Sequence, residues 1–168
     1  MENPFVQTVI RYVSGTPQER ADAHTLLCQY EGNPNAFQTC MAVVKEPPAL
    51  DPKMLENVLF HALRTIQATS KYKQLFTPND HKTLIEFLLG WVFTQTSMLL
   101  VRKALEIVVD LLIFDNDQPT LWVFCFRLLL QKTDTPARAA VPLFFLEEMN
   151  TRLIEKARTF VDFQMLAN

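Results

Sequence analysis

Residues that could carry out chemistry are few and scattered in this 168-residue chain. The histidines His24, His61 and His81 fall in separate segments, and no Cys/His cluster has metal-ligand spacing. We expect His24 and His61 to line helix packing, and His81, beside Asp80, to be exposed. No Walker loop, dinucleotide fingerprint or nucleophile motif occurs. The sequence therefore predicts no catalytic residue, no metal, no cofactor and no small-molecule substrate, so we do not expect an enzyme.

The cysteines and one pair of adjacent glutamates likewise do not predict a catalytic or metal site. Cys28, Cys40 and Cys125 are odd in number and lie in apolar or amphipathic stretches, which predicts small buried hydrophobes and a reducing compartment. Glu147 and Glu148 are adjacent, so a helix separates them by about 100° and they form no paired-carboxylate site. We expect them to belong to a solvated face.

One cluster is both basic and aromatic. Lys71, Lys73 and Lys82 flank Tyr72 and His81. Two interpretations stay open: a solubilising tip of a helical hairpin, or a candidate RNA contact in which the lysines bind backbone phosphates.

Composition indicates a globular helical protein. Hydrophobic residues make up 49% of the chain, glycines number only three, and the net charge is −2. The first 13 residues do not resemble a signal peptide, and each apolar stretch is too short or too charged to span a membrane. We expect a soluble protein.

Prolines mark where helices begin. Several follow an Asn, Asp or Thr, whose side chain caps a helix while proline occupies its first position. Each such pair precedes apolar residues at spacings of three and four. The predicted helices are 4–13, 17–30, 34–45, 52–72, 80–94, 98–115, 119–132 and 136–163, the last kinked or begun at Pro142.

Short turns pair these helices into hairpins. The predicted hairpins are 17–45, 52–94 and 98–132, followed by a partial repeat at 136–163, and their spacing is typical of helical-repeat proteins. We predict an all-α fold, an α-α superhelix of HEAT/armadillo-like hairpins forming one solenoid domain over 1–168. A plain helical bundle is the alternative.

Two segments resemble the first repeat of the importin-β/exportin (karyopherin) superfamily. Ala23–Tyr30 is similar to the end of its first helix, and Asn33–Gln38 to the Ser/Asn-Pro-x-Ala-Trp start of the second, with Phe37 in place of Trp. Leu84–Trp91 is similar to a helix of the second repeat. Val101–Val108 is similar to the third repeat but lacks its Asn. The resemblance covers about residues 20 to 150.

The branch most similar is the tRNA exportin, exportin-T. Lys71-Tyr72-Lys73 followed by the Leu84–Trp91 helix resembles its pattern, after a helix containing Phe60–Ile66. Because members of the superfamily are much longer, we expect an N-terminal fragment of a longer repeat protein.

The resemblance implies a nuclear transport receptor that shuttles between nucleus and cytoplasm. It implies that the second helix of each early hairpin binds Ran-GTP. It also implies that binding of the cargo, here tRNA, is coupled to binding of Ran-GTP, and that Ran itself hydrolyses the GTP. The alternatives are a HEAT/armadillo-like protein-binding scaffold without Ran dependence and, third, a small helical enzyme. Polar positions expected to contact Ran are Gln38, Lys45, Lys82, Glu86, Arg127 and Gln131.

Overall fold

Eight α-helices account for most of the described chain. The computed structural model describes residues 3–72, 76–114, 119–133 and 135–166. A short 3₁₀ turn, Val92–Thr94, continues the fifth helix. The helices are α1 (Pro4–Ser14), α2 (Pro17–Gly32), α3 (Ala36–Lys45), α4 (Pro52–Thr69), α5 (Pro78–Trp91), α6 (Met98–Phe114), α7 (Pro119–Leu130) and α8 (Pro136–Leu166).

Capping at the proline pairs explains why the predicted helix starts are close to the observed ones. The Asn3 side chain accepts a hydrogen bond from the Phe5 backbone N–H, and Asp51 accepts one from Met54. Thr16 forms a capping box with Glu19: each side chain accepts a hydrogen bond from the other residue's backbone N–H.

The Asn33-Pro34 pair behaves differently. The Asn33 side chain accepts from the Asn35 backbone N–H at 3.0 Å, which closes a turn, and α3 begins only at Ala36. The predicted start at Pro34 is therefore two residues early. The sequence pair identified the right region but not the turn that precedes the helix.

Contacts divide the chain into two compact units, residues 1–82 and 83–168, with the boundary inside α5. In the first unit α1 packs on α2 and α4, α2 packs on α4, and α3 packs on α4. Helix α4 lies at the centre of this unit, and its inner residues Val58, Ala62, Leu63 and Ile66 are fully buried.

The buried face of α2 differs from the prediction. Ala23 and Leu27 are buried, whereas His24 and Cys28, which the helical pattern placed inward, are exposed together with Ala21. Small or apolar residues occur on several sides of α2, so their spacing alone does not select one face. The packing of α2 on α1 and α4 decides which face is buried.

The second unit is organised around α6 and α8. Helix α6 packs on α8 and on the 3₁₀ turn, and α7 packs on α8. The middle of α6 is buried on several sides, including Leu105, Ile107 and Val108, and Phe145 of α8 is 1% exposed. Helix α8 starts at Pro136, as predicted, and runs through Pro142, so of the two outcomes expected at Pro142 a helix start is excluded.

The described residues form helices and turns without a strand, which confirms the all-α class. In this part of the chain, no helix is both long and apolar enough to cross a membrane. The division into hairpins 17–45, 52–94 and 98–132, and their assembly into a superhelix, remain predictions.

Candidate partner-binding surfaces

Helix α3 has one buried and one exposed face. Cys40, Met41 and Val44 are buried, whereas Gln38 and Lys45 are exposed. Because these two are seven residues apart, close to two helical turns, their side chains leave the helix on the same side. The α3 surface can therefore contact a partner over two turns without disturbing the core.

The other Ran candidates are also exposed pairs. Lys82 and Glu86 lie one turn apart on α5. Arg127 lies in the last turn of α7, and the backbone N–H of Gln131, just beyond the helix, donates to the Arg127 carbonyl at 3.0 Å. Gln38, Lys45 and Lys82 belong to the first unit, and Glu86, Arg127 and Gln131 belong to the second.

Part of the basic cluster lies around the start of α5. Lys71 and Lys82 are exposed, and Lys73 lies outside the described residues. Tyr72 is 37% exposed, and its hydroxyl donates to the Gly32 carbonyl at 3.2 Å. The Tyr72 ring is thereby tied to the end of α2, and it stays partly accessible for stacking.

His81 is buried, so its predicted exposure is wrong. It is 2% exposed, and its Nε2 lies 2.9 Å from the Ser70 carbonyl oxygen. Its ring stacks on Phe76, which contacts the edge of Phe37 with ring centroids 4.6 Å apart. His81 thus stabilises the connection between α4 and α5 instead of presenting its imidazole to an RNA.

The rings of the other two histidines both lie near the Tyr12 ring. The His61 ring contacts Tyr12 edge-on with centroids 5.2 Å apart and is half-buried, which fits the predicted packing role. His24 is exposed, but its ring lies beside Tyr12 of α1 with centroids 6.1 Å apart, so it lines the α1–α2 packing only at its edge. Burial lowers the pKa of His61, and the nearby charges of Arg64 and His24 lower it further.

Cys28 is exposed on the same helix as His24, and its predicted burial is wrong. Its Sγ lies 4.0 Å from the His24 ring nitrogens. Cys40 and Cys125 are buried as predicted, and burial raises the pKa of each thiol to about 12. Among the described residues, no group of three His, Cys, Asp or Glu side chains is placed to hold a metal ion.

The Glu147-Glu148 pair diverges, as its predicted angular separation requires. Glu147 is well exposed and pairs with Arg102, whereas Glu148 is half-buried and pairs with Arg152 at 3.0 Å. The solvated-face prediction therefore holds for Glu147 only.

A small cavity between α1 and α2 was not predicted from the sequence. Its volume is about 170 Å³, which is below the roughly 300–1,000 Å³ of small-molecule sites. The Glu19 carboxylate at its edge already caps α2, and the backbone N–H of Thr16 lowers its pKa. The cavity has room for one partner side chain. Its lining residues are Thr8, Arg11, Glu19, Asp22, Ala23 and Leu26.

Comparisons with protein-family models, with curated proteins and with solved structures find no match for this chain. The resemblance to the importin-β/exportin superfamily rests on the sequence segments quoted above. The exposed residue pairs on α3, on α5 and at the end of α7 are the positions at which the binding implied by this resemblance can be tested.

Proposed function

We propose that this chain is an exportin-like binding protein that recognises the GTP-bound form of Ran and has no catalytic role. The observation that carries the proposal is the exposure of all six candidate positions. On α3, on α5 and at the end of α7 they occur as pairs at helical spacing. The pairs are Gln38 and Lys45, Lys82 and Glu86, and Arg127 and Gln131. Exposed polar side chains on a helix whose opposite face is buried are available to the polar rim of a protein interface.

The charges of these positions favour an acidic partner surface. Lys45, Lys82 and Arg127 are cationic, and Glu86 is the single acid among the six, although the whole chain carries a net charge of −2. Opposite charges accelerate association and select among partners, and salt weakens both effects. We therefore expect binding to weaken as the ionic strength rises from 50 to ~300 mM.

The decisive experiment compares Ran loaded with GTP or GDP on the immobilised chain. Binding to the GTP form that is at least ~10-fold tighter supports the proposal. Absent binding, or equal affinity for both forms, contradicts it. Equal affinity favours the scaffold alternative, in which helical hairpins bind protein partners without regard to the nucleotide.

Charge reversal tests the surface itself. Lys82→Glu and Arg127→Glu should each weaken binding by about 5- to 50-fold if these cations contact the partner. Lys53→Glu is the matched control because Lys53 is exposed near the start of α4 and is outside the candidate set. If all three variants lose affinity equally, the effect is one of net charge and the assigned surface is wrong.

The tRNA branch adds Lys71, Lys73 and Lys82 as contacts to backbone phosphates. The exposure of Lys71 and Lys82 beside the partly exposed Tyr72 supports this interpretation. Labelled tRNA should bind more tightly with Ran-GTP present than without it, because the two ligands favour the same state. Equal tRNA binding in both conditions contradicts this branch. A receptor of this kind shuttles between nucleus and cytoplasm.

We also propose that the chain forms a single superhelix of HEAT/armadillo-like hairpins. A compact domain of this length has a radius of gyration of about 15 Å. A stacked solenoid is more elongated, so X-ray scattering extrapolated to zero protein concentration, where the chain is monomeric, should give a clearly larger value. A radius near the compact value contradicts the superhelix and favours a helical bundle.

A further inference from the structure

Helix α8 carries an exposed apolar line that its own unit does not cover. Leu143, Leu146 and Leu153 are 65%, 37% and 45% exposed, and Asn150 is exposed between them. We call these four residues the α8 seam. Their spacings of three, four and three are those of a and d positions in a coiled coil, with Leu143 and Asn150 at a and Leu146 and Leu153 at d.

Another face of α8 packs within the second unit. Phe145 is 1% exposed, and Arg152 pairs with Glu106 and Asp110 of α6. The α8 seam lies on another side of the helix, so covering it requires no rearrangement of α6 or of these partly buried ion pairs.

Asn150 indicates what covers the seam. An asparagine at an a position destabilises contact with a purely apolar helix, because its amide loses hydrogen bonds to water. Against an identical helix in parallel register, each amide has both a donor and an acceptor for its counterpart. A single asparagine at a is the known device that fixes register and two-stranded pairing. We propose that a second copy of this chain packs along the α8 seam, parallel and in register, with Asn150 opposite Asn150.

Neighbouring positions are compatible with this pairing. In a parallel pair a g residue faces the e residue of the following heptad, which places Met149 against Ile154 of the other copy. Met149 is half-buried and Ile154 is 44% exposed, so this contact extends the apolar surface and brings no like charges together. Glu147, at the preceding e position, is already paired with Arg102 at 3.3 Å.

The exposed apolar area of the α8 seam limits how tightly two copies can bind. Its three leucines and Ile154 offer roughly 300 Å² per copy, less than the ~800 Å² per partner of a standard interface. The dimer should therefore be weak, with a dissociation constant on the order of 10–100 μM.

Sedimentation equilibrium across this concentration range is the first test. The chain should pass from monomer to dimer, and Leu146→Lys or Leu153→Lys should raise the dissociation constant at least about tenfold. Leu26→Lys is the control, because Leu26 is exposed to a similar degree, 42%, on α2. A chain that stays monomeric to ~500 μM overturns the proposal, as does a dimer unaffected by the seam variants.

Cross-linking tests the register. In a Cys28→Ser background, which removes the exposed native thiol, Asn150→Cys should form a disulfide-linked dimer under mild oxidation, because a parallel pair brings two a positions within disulfide range. Thr151→Cys is the control, because Thr151 is also exposed but lies about 100° round the helix from Asn150, outside the α8 seam. Cross-linking that is equal at both positions, or absent at 150 in a sample that sediments as a dimer, overturns the parallel arrangement.

Discussion

The imidazole Nε2 of His81 lies 2.9 Å from the backbone carbonyl oxygen of Ser70, and both residues are at most 2% exposed. A carbonyl only accepts hydrogen bonds, so Nε2 carries the proton and donates it. Ser70 directly follows α4 and His81 lies in the first turn of α5. This one hydrogen bond therefore joins the end of one helix to the beginning of the next.

Replacing His81 should show how much this hydrogen bond contributes to the free energy of unfolding. His81→Ala leaves the buried Ser70 carbonyl without this donor and removes the stack on Phe76, so we expect a loss of about 2–3 kcal/mol in the free energy of unfolding. Urea denaturation followed by circular dichroism measures it. His24→Ala is the control, since His24 is exposed and should change stability by less than ~0.5 kcal/mol. Equal effects of the two variants would show that the junction contributes nothing specific.

Helix positions could be predicted because their determinants are local. Asn3, Thr16 and Asp51 each cap the helix whose first residue is the following proline, as the side-chain hydrogen bonds show. These caps act within three residues, so the sequence alone is sufficient. The exposure of Gln38 and Lys45 followed in the same way from the apolar residues that alternate with them on α3.

Long-range packing decided the features that were predicted wrongly. His81 resembles an exposed residue because Asp80 and Lys82 flank it, yet Phe76 and Ser70 enclose its ring. Cys28 lies in an amphipathic stretch, but the face of α2 that is buried depends on where α1 and α4 pack. No pattern within a single helix records which side a neighbouring helix will cover.

Arg152 joins α8 to α6 through shared carboxylates. It contacts Glu106 and Asp110 on α6 as well as Glu148 on its own helix, and its side chain is only 28% exposed. Burial raises the pKa of Glu148, and the Arg152 guanidinium opposes this shift by favouring the ionised carboxylate. Arg152 is therefore the positive centre of a partly buried group of acids.

Arg152→Met should destabilise the protein by about 2–3 kcal/mol, because it retains the aliphatic volume but removes the cation shared by Asp110 and Glu148, whereas Glu106 keeps its pair with Lys103. Glu147→Gln, in a pair whose side chains are both more than half exposed, should cost below ~0.5 kcal/mol. Thermal unfolding at low and high salt measures both variants. If Arg152→Met unfolds like the wild type, the ion pairs contribute no net stability.

Thiol accessibility separates the three cysteines. In the native protein a thiol reagent at pH 8 should modify Cys28 rapidly, while Cys40 and Cys125 react only as the protein unfolds, because they are buried and their pKa values are about 12. In denaturant all three should react. Cys28→Ser should abolish the rapid phase, and a rapid phase that persists in this variant would contradict the burial of the other two cysteines.

His61 should make stability depend on pH in the mildly acidic range. Burial, followed by Arg64 and His24, lowers its pKa below the usual 6.5, so the unfolded chain binds the proton first as the pH falls. Stability should be fully present above pH 6.5 and should decrease as the pH falls below it, levelling off once the folded protein is protonated as well. Thermal melts between pH 7.5 and 5 measure this slope.

Two variants assign that slope to His61. His61→Gln should flatten the decrease between pH 6.5 and 5, because no imidazole remains to bind the proton. His24→Gln should flatten it only partly, since it removes one of the charges that lower the pKa of His61 and leaves burial and Arg64 in place. An unchanged slope in His61→Gln would mean that another group causes the pH dependence. Protonation of His61 beside Tyr12 would then not lower the free energy of unfolding of the native protein.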